Sequence, residues 1–120
     1  MSRTNVTIAV REINQQVNAI DIGGELTSFA EEELAAAIDQ ANTENVGCIL
    51  FNFGQLTYMN SSGIGLLVTT LIRLGRQDKR MVAVELSDHF RKLFELTKLN
   101  EAIHLYDTEE EALAAENLLD

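Results

Sequence analysis

Asn60, Ser61 and Ser62 are the residues of this chain best placed by type and spacing to do chemistry. They stand between an apolar run and a helical pattern and are followed at once by Gly63 and Gly65. Upstream, Gly47-Cys48-Ile49-Leu50-Phe51-Asn52-Phe53 has the length and composition of a buried strand. Downstream, Ile64, Leu67, Val68, Leu71 and Leu74 recur at helical spacing, and the pattern ends near Gly75. The stretch from Leu56 to Val68 is therefore read as a strand-to-helix turn. There the side-chain oxygen of Asn60 or Ser61 can accept a hydrogen bond from an otherwise unpaired backbone N–H, which places two hydroxyls at the positive end of a helix dipole. Gly63 and Gly65 each cost about 1 kcal/mol of helix propensity relative to alanine. Each needs a reason, such as the close approach of another backbone or of a partner docking flat on the turn.

Nucleophilic catalysis finds little support. Neither serine lies in a Gly-x-Ser-x-Gly elbow, and His89 and His104 have no serine-plus-acid pattern near them. One cysteine and two histidines 15 residues apart match no metal-ligand spacing. The Glu31-Glu32-Glu33 run is accounted for by carboxylates complementing the dipole of a first helical turn. A dinucleotide site is a stronger candidate, because Gly63-x-Gly65 follows a strand, opens a helix and is trailed by Glu85 at a strand end. Against it, Val68 stands where the third glycine or alanine belongs, the loop from Phe53 to Gly63 is too long for the tight first turn, and little chain remains for a substrate domain. No glycine-rich run ends in Gly-Lys-Ser/Thr, so a P-loop is absent. The expectation is no catalytic residue, no metal and no cofactor; on its own terms a serine at a helix start is ordinarily just a cap, and a hydroxyl open to modification is the alternative.

A chain of 120 residues makes one domain, 1–120, large enough to bury about two-thirds of its unfolded surface without a staple. Its single cysteine, Cys48, lies inside the apolar run, where a small buried residue is the simplest role and a reducing compartment the simplest setting. Met1-Ser2-Arg3-Thr4-Asn5 shows no basic segment leading into an apolar one, and no apolar run approaches membrane-spanning length, so a soluble, cytoplasmic protein is expected. A net charge of −10 argues against nucleic acid as a partner. Yet seven of the nine basic residues fall between Arg73 and Lys98. A solvated helix face suffices to explain them; a patch complementary to an acidic partner is the alternative.

In chain order, Val6, Ile8 and Val10 alternate with polar residues, as do Val17 and Ala19 before the pattern shifts to Ile20 and Ile22, giving two strands joined by a hairpin at Glu12–Gln16. Gly23-Gly24 is expected to break the second. Ser28-Phe29-Ala30-Glu31 reads as a capping box ahead of Leu34, Ala37, Ile38 and Ala41 on one helical face. Met81–Glu85 is a further strand. Ser87 caps a third helix with Phe90, Leu93, Phe94 and Leu99 on its apolar face. Ile103–Tyr106 is a short last strand, and Thr108 with Glu111 opens a C-terminal helix. The order ββαβαβαβα implies an α/β domain with a mixed sheet, an antiparallel entry hairpin followed by parallel strands.

The run Tyr58-Met59-Asn60-Ser61-Ser62-Gly63-Ile64-Gly65 resembles the signature of the STAS domains, the anti-sigma-factor antagonist family, in which aromatic-Met-Asp-Ser-Ser-Gly-Leu/Ile-Gly is usual. Gly24-Glu25-Leu26 stands where that family carries Gly-Glu-Leu before its first helix, and Phe90-Arg91-Lys92-Leu93-Phe94-Glu95-Leu96-Thr97-Lys98-Leu99 is similar to its third-helix segment. The resemblance implies a small sheet with helices packed on one side. It also implies that Ser61 is phosphorylated by a serine kinase that is itself the anti-sigma factor, and restored by a serine phosphatase. The unphosphorylated protein would bind the anti-sigma factor and release a sigma factor or other target, through Glu25, Leu26, Thr27, Ser28, Asn60, Ser61, Ser62 and Gly63. Asn60 stands where Asp is usual, and Thr27 where Asp is frequent, which points to altered kinase choice or phosphorylation rate. The rival readings are an unphosphorylated accessory subunit of a lipid or anion transporter and, from another class, a small nucleotide-binding domain. The oligomeric state, monomer or weak dimer, stays open.

Overall fold

The computed structural model describes residues 5–119, so the reading based on Met1–Thr4, and Asp120, lie outside it. The chain runs β1 (Val6–Glu12), β2 (Val17–Leu26), a 3-10 turn (Ser28–Ala30), α1 (Glu31–Ala41), β3 (Cys48–Asn52), β4 (Leu56–Met59), α2 (Ser61–Arg76), β5 (Arg80–Val84), α3 (Asp88–Leu96), a second 3-10 turn (Leu99–Glu101), β6 (His104–Tyr106) and α4 (Glu109–Ala115). One sheet has the order β1-β2-β3-β5-β6, with β4 also paired to β2. The β1–β2 pair is antiparallel and every other pair is parallel. That is the mixed α/β sheet expected from the hydrophobic patterning.

Three local features differ from the sequence expectation. Leu56–Met59, read as turn, is an additional strand, parallel to β2. It is four residues long with Leu56 and Met59 buried and Thr57 and Tyr58 exposed, too short to display an alternating period. Gly23-Gly24 does not break β2. The strand continues to Leu26, its first half pairing with β3 and its last residues with β4 across a register shift between Gly24 and Glu25. Gly24 has φ +76, and a Cβ there would stand 1.8 Å from the Asn5 carbonyl oxygen, so glycine lets the strand bend while β1 crosses close by. Leu99 lies beyond α3, buried in the following 3-10 turn.

The helices also divide between two faces. On one side of the sheet Ile49, Phe51, Met81 and Ala83 pack with apolar residues of α1, α2 and α3, including Leu34, Leu67 and Phe90. Their alternate neighbours Cys48, Leu50, Val82 and Val84 point to the other side and are covered by Ala112, Leu113 and Leu118. The resemblance implied helices on one side only; α1, α2 and α3 share one face, but α4 departs from that expectation and seals the opposite one. Because β3 and β5 are apolar at every position from Cys48 to Phe51 and from Met81 to Val84, both of their faces require cover.

Candidate functional site

The parallel pairing of β2 with β4 brings Glu25 opposite Tyr58 and Leu26 opposite Met59. The chain therefore leaves both strands at the same rim, and the segments Thr27–Phe29 and Asn60–Ser62 emerge side by side. Each opens with a capping residue. Thr27 Oγ1 accepts a hydrogen bond from the Phe29 N–H at 3.3 Å and caps the 3-10 turn that runs into α1. The cap is thus Thr27, not Ser28; adjacent hydroxyl residues compete for this role, and the extended backbone of Thr27 decides it. At α2, Asn60 Oδ1 accepts from the Gly63 N–H at 3.0 Å. Asn60 takes the capping role, so the Ser61 hydroxyl is left out of the cap on the first helical residue.

Gly63 owes its place to an internal contact. A Cβ there would lie 2.1 Å from the Leu26 carbonyl oxygen and 3.0 Å from Met59 Cγ, so the first turn of α2 is seated directly on the end of β2. Asn60 N–H reaches the same Leu26 carbonyl at 3.4 Å. Gly65 is different: it is exposed, and nothing lies within 4 Å of the position its Cβ would take. The close approach of another backbone expected at these glycines is thus met at Gly63, while at Gly65 no internal contact supplies a reason.

Of the eight residues named from sequence for partner contact, Glu25, Ser28, Ser61 and Ser62 are exposed, and Thr27 and Asn60 are half-buried. Leu26 and Gly63 are buried and hold the surface together from beneath. Sequence reasoning missed two large exposed side chains in the same segments. Tyr58 is 50 % exposed and Phe29 is 55 % exposed. The available signal was a large aromatic in each of two segments otherwise built from caps and small residues. Amphipathic rings in exposed positions are the residue type that anchors protein contacts. Val68, read as part of the apolar stripe, is also exposed, at the edge of the buried face formed by Gly63, Leu67, Leu71 and Leu74.

Electrostatically the start of α2 favours an anion, with Glu25 the exposed carboxylate of the rim. The first turn of α2 carries no acidic residue, and its leading N–H groups have no intrahelical partner. The titratable clusters elsewhere serve to fasten α4. Arg11 binds Asp21 at 2.6 Å and also Glu109, which accepts in addition from Asn52 Nδ2 at 2.9 Å. The Arg11 hydrogen bond holds the Glu109 carboxyl below its ordinary range. At the far end of the helix, burial would raise the Glu116 carboxyl, but hydrogen bonds from Tyr106 and His104 outweigh it and leave the group lowered. The same Tyr106–Glu116 bond pushes the phenol up to about 12. Cys48 is wholly buried, and burial pushes its thiol up to about 12, out of the range of a working nucleophile. No group of three or more His, Cys, Asp or Glu side chains suited to a metal ion occurs among the described residues. Among the same residues no helix is long and apolar enough to cross a membrane.

The sequence profile of the STAS domain matches residues 9–112, most of the chain and all of the site just described. The protein belongs to the STAS family. It is 33 % identical over 86 residues to an anti-sigma-B factor antagonist of Staphylococcus aureus, covering 72 % of this chain and 80 % of that one. The unphosphorylated form of the anti-sigma factor antagonist SpoIIAA superposes with a TM-score of 0.70 at 28 % identity, over 94 % of this chain and 100 % of the other. The phosphorylated form of the same Bacillus cell fate determinant gives a TM-score of 0.70 at 29 % identity, over 92 % and 99 %. A sulfate transporter family protein from Wolinella succinogenes shares the fold at 15 % identity, with a TM-score of 0.76 over 90 % of each chain. Regulatory binding proteins of the anti-sigma antagonist type are therefore this STAS domain's sequence relatives, and a partner-switching role is the one they support.

Proposed function

We propose that this protein is a phosphorylation-controlled partner switch without catalysis of its own. With Ser61 bare it binds an anti-sigma factor that is also its serine kinase, which frees a sigma factor or another target. Phosphorylation of Ser61 dissociates that complex, and a serine phosphatase restores the binding form. The observation that carries this reading is the division of labour at α2: Asn60 caps the helix, so Ser61 is exposed on its first residue with a hydroxyl that the fold does not need.

The physics of such a switch is asymmetric. A phosphate adds a charge of about −1.5 to −2, which the N-terminus of a helix accommodates, so the domain stays folded. A partner carboxylate about 6 Å from that phosphate would oppose it by roughly 3 kcal/mol per unit charge at an effective dielectric of about 20. With steric intrusion added, a loss of about 10² to 10³ in affinity follows. Asn60, neutral where the family usually has Asp, neither repels the phosphate nor accepts the serine proton as a carboxylate would, and so it sets the choice of kinase or the rate of modification.

Incubation with the cognate kinase and ATP, followed by intact-mass measurement of wild type and Ser61→Ala, tests the switch. A single phosphate gained by the wild type alone is the expected result; a gain in both proteins, or in neither, refutes it. Equal phosphorylation rates for Asn60→Asp and wild type would remove the role given to Asn60. The transporter-subunit reading rests on a likeness that carries the fold alone.

A further inference from the structure

Ser61, Gly65, Val68, Ile72 and Arg76 succeed one another at intervals of four, three, four and four residues, so they stack along one line of α2. All five are exposed, while Gly63, Leu67, Leu71 and Leu74 bury the opposite side of the helix. The line starts at the Ser61 hydroxyl, is flat at Gly65, turns apolar at Val68 and Ile72, and ends at the two arginines of the last turn, Arg73 and Arg76.

Those two arginines, like Lys92 and Lys98 on and just after α3, differ from the remaining cations of their region. Lys79 Nζ donates to the Thr43 carbonyl at 3.0 Å and to the Val46 carbonyl, Arg80 pairs with Glu116, and Arg91 pairs with Asp107. Among the described residues Arg73 and Arg76 enter no ion pair; the cleft of about 370 Å³ that they line with Thr69, Ile72 and Gln77 contains no carboxylate, while Arg73 also lines a neighbouring cleft with Glu31. In a chain of net charge −10 this is a positive pole left open. Only an anionic surface gains from meeting it, and the negative remainder of the molecule disfavours so large a polyanion as nucleic acid.

We infer that the Val68–Ile72 ridge and its Arg73/Arg76 pole form an address for the anti-sigma factor kinase, whose matching surface carries an apolar strip ending in carboxylates. This rests on the partner-switch reading of Ser61 and extends it. Address and switch occupy opposite ends of one helix. Twelve residues at about 1.5 Å rise separate Ser61 from Arg73 by about 18 Å, more than twice the screening length of about 8 Å at physiological salt. A phosphate on Ser61 therefore leaves the field of the arginines intact. The arginine pole sets the association rate, and the Ser61 end sets the dissociation rate.

Binding kinetics with the purified cognate anti-sigma factor kinase test this. The proteins compared are wild type, Ile72→Ser, Ser61→Asp, the Arg73→Gln/Arg76→Gln double variant and the variant carrying all three of the Ser61 and arginine changes. The double arginine variant should associate about tenfold more slowly at low salt, with the difference vanishing near about 1 M salt, where the screening length is about 3 Å. Ile72→Ser should dissociate faster, and the effects of Ser61→Asp and the arginine changes should multiply. Thermal unfolding of each variant confirms that the fold persists. If Ser61→Asp releases the kinase while the arginine and Ile72 variants bind as wild type, the address is refuted and the switch stands. If the arginine variant weakens association while Ser61→Asp binds unchanged, the address stands and the switch falls. Failure of the wild type to bind overturns both.

Discussion

Gly63 and Gly65 are two residues apart on one helix, and the same substitution should move them in opposite directions. At Gly63 the new methyl would stand 2.1 Å from the Leu26 carbonyl oxygen and 2.8 Å from its carbon, both backbone atoms that cannot swing aside. The start of α2 would have to retreat by about 1 Å from the end of β2, an overpacking cost of about 1–3 kcal/mol. The hydrogen bond from Asn60 N–H to that carbonyl, at 3.4 Å already long, would be lost for about 1 kcal/mol more. Relief of the glycine helix penalty returns about 1 kcal/mol. Gly63→Ala should therefore destabilise the protein by about 2 kcal/mol, a fall in melting temperature of about 8 °C for a domain of this size. At Gly65 the methyl meets nothing within 4 Å, so only the propensity gain remains. Gly65→Ala should stabilise by about 0.5–1 kcal/mol and raise the melting temperature by about 2–4 °C.

Urea unfolding with a shared m-value, supported by thermal melts, measures both effects. Stabilisation by both substitutions, or by Gly63→Ala alone, would refute the argument that α2 is seated on the Leu26 carbonyl. The functional counterpart is that Gly65→Ala should weaken capture of the anti-sigma factor although the protein becomes more stable. A loss of binding that accompanies a gain in stability cannot be ascribed to damaged folding.

Three further outcomes follow from particular contacts. Tyr58→Ala and Phe29→Ala remove exposed rings from the two segments that end at the Ser61 rim, so each should reduce partner affinity about tenfold or more while shifting the melting temperature by no more than about 2 °C; calorimetric titration of the same kinase checks this. The Glu109 carboxyl is held below its unfolded value of about 4.3 by Arg11, so its contribution to stability is present above that pH and lost as pH falls through the lower folded value. Melting temperatures measured through the acid range should fall less steeply for Arg11→Met than for wild type. Asp78, Lys98 and Asn117, with φ near +60, each follow a helix C-cap, where left-handed backbone is usual, whereas Glu85 at φ 63 lies in a loop after β5. Glu85→Gly should thus stabilise the fold by about 1 kcal/mol, read from urea unfolding.

What the sequence discloses about this molecule is what depends on near neighbours. The start of α2 is legible because a cap, a dipole and a helical period are all properties of ten consecutive residues, and Ser61 stands where those properties put it. The cover of the second face went unread although its signal was present: apolar residues without interruption from Cys48 to Phe51 and from Met81 to Val84 demand cover on both sides, and α4 provides it. β4 was not legible, because Leu56–Met59 owes its extended form to pairing with Gly24–Leu26, some thirty residues away. The contrast between Gly63 and Gly65 was hidden for the same reason. Both interrupt one helical pattern, and only the position of the Leu26 carbonyl separates the glycine the fold requires from the one it does not. Tyr58 and Phe29 gave a signal in their size, but their exposure depends on how β2 and β4 end together.

That shared ending also explains how a surface can be switched without disturbing what lies beneath it. The first turn of α2 is fixed from below by the Leu26 carbonyl against Gly63 and along its length by Leu67, Leu71 and Leu74. Its N-terminal dipole favours negative charge, and its cap is supplied by Asn60. A phosphate on Ser61 would consequently encounter no internal contact to break, and its free-energy cost would fall almost wholly on whatever protein lies across the rim. Had Ser61 been the cap, modification would have competed with the helix itself, and folding would have been coupled to signalling. With the cap one residue earlier the two are separable, so Asn60→Ala should lower the stability of α2 by about 1 kcal/mol while a charge at position 61 should leave stability nearly unchanged. Equal destabilisation by Asn60→Ala and Ser61→Asp, measured by urea unfolding, would show that the hydroxyl carries structural load after all and that charge at this position acts through the fold.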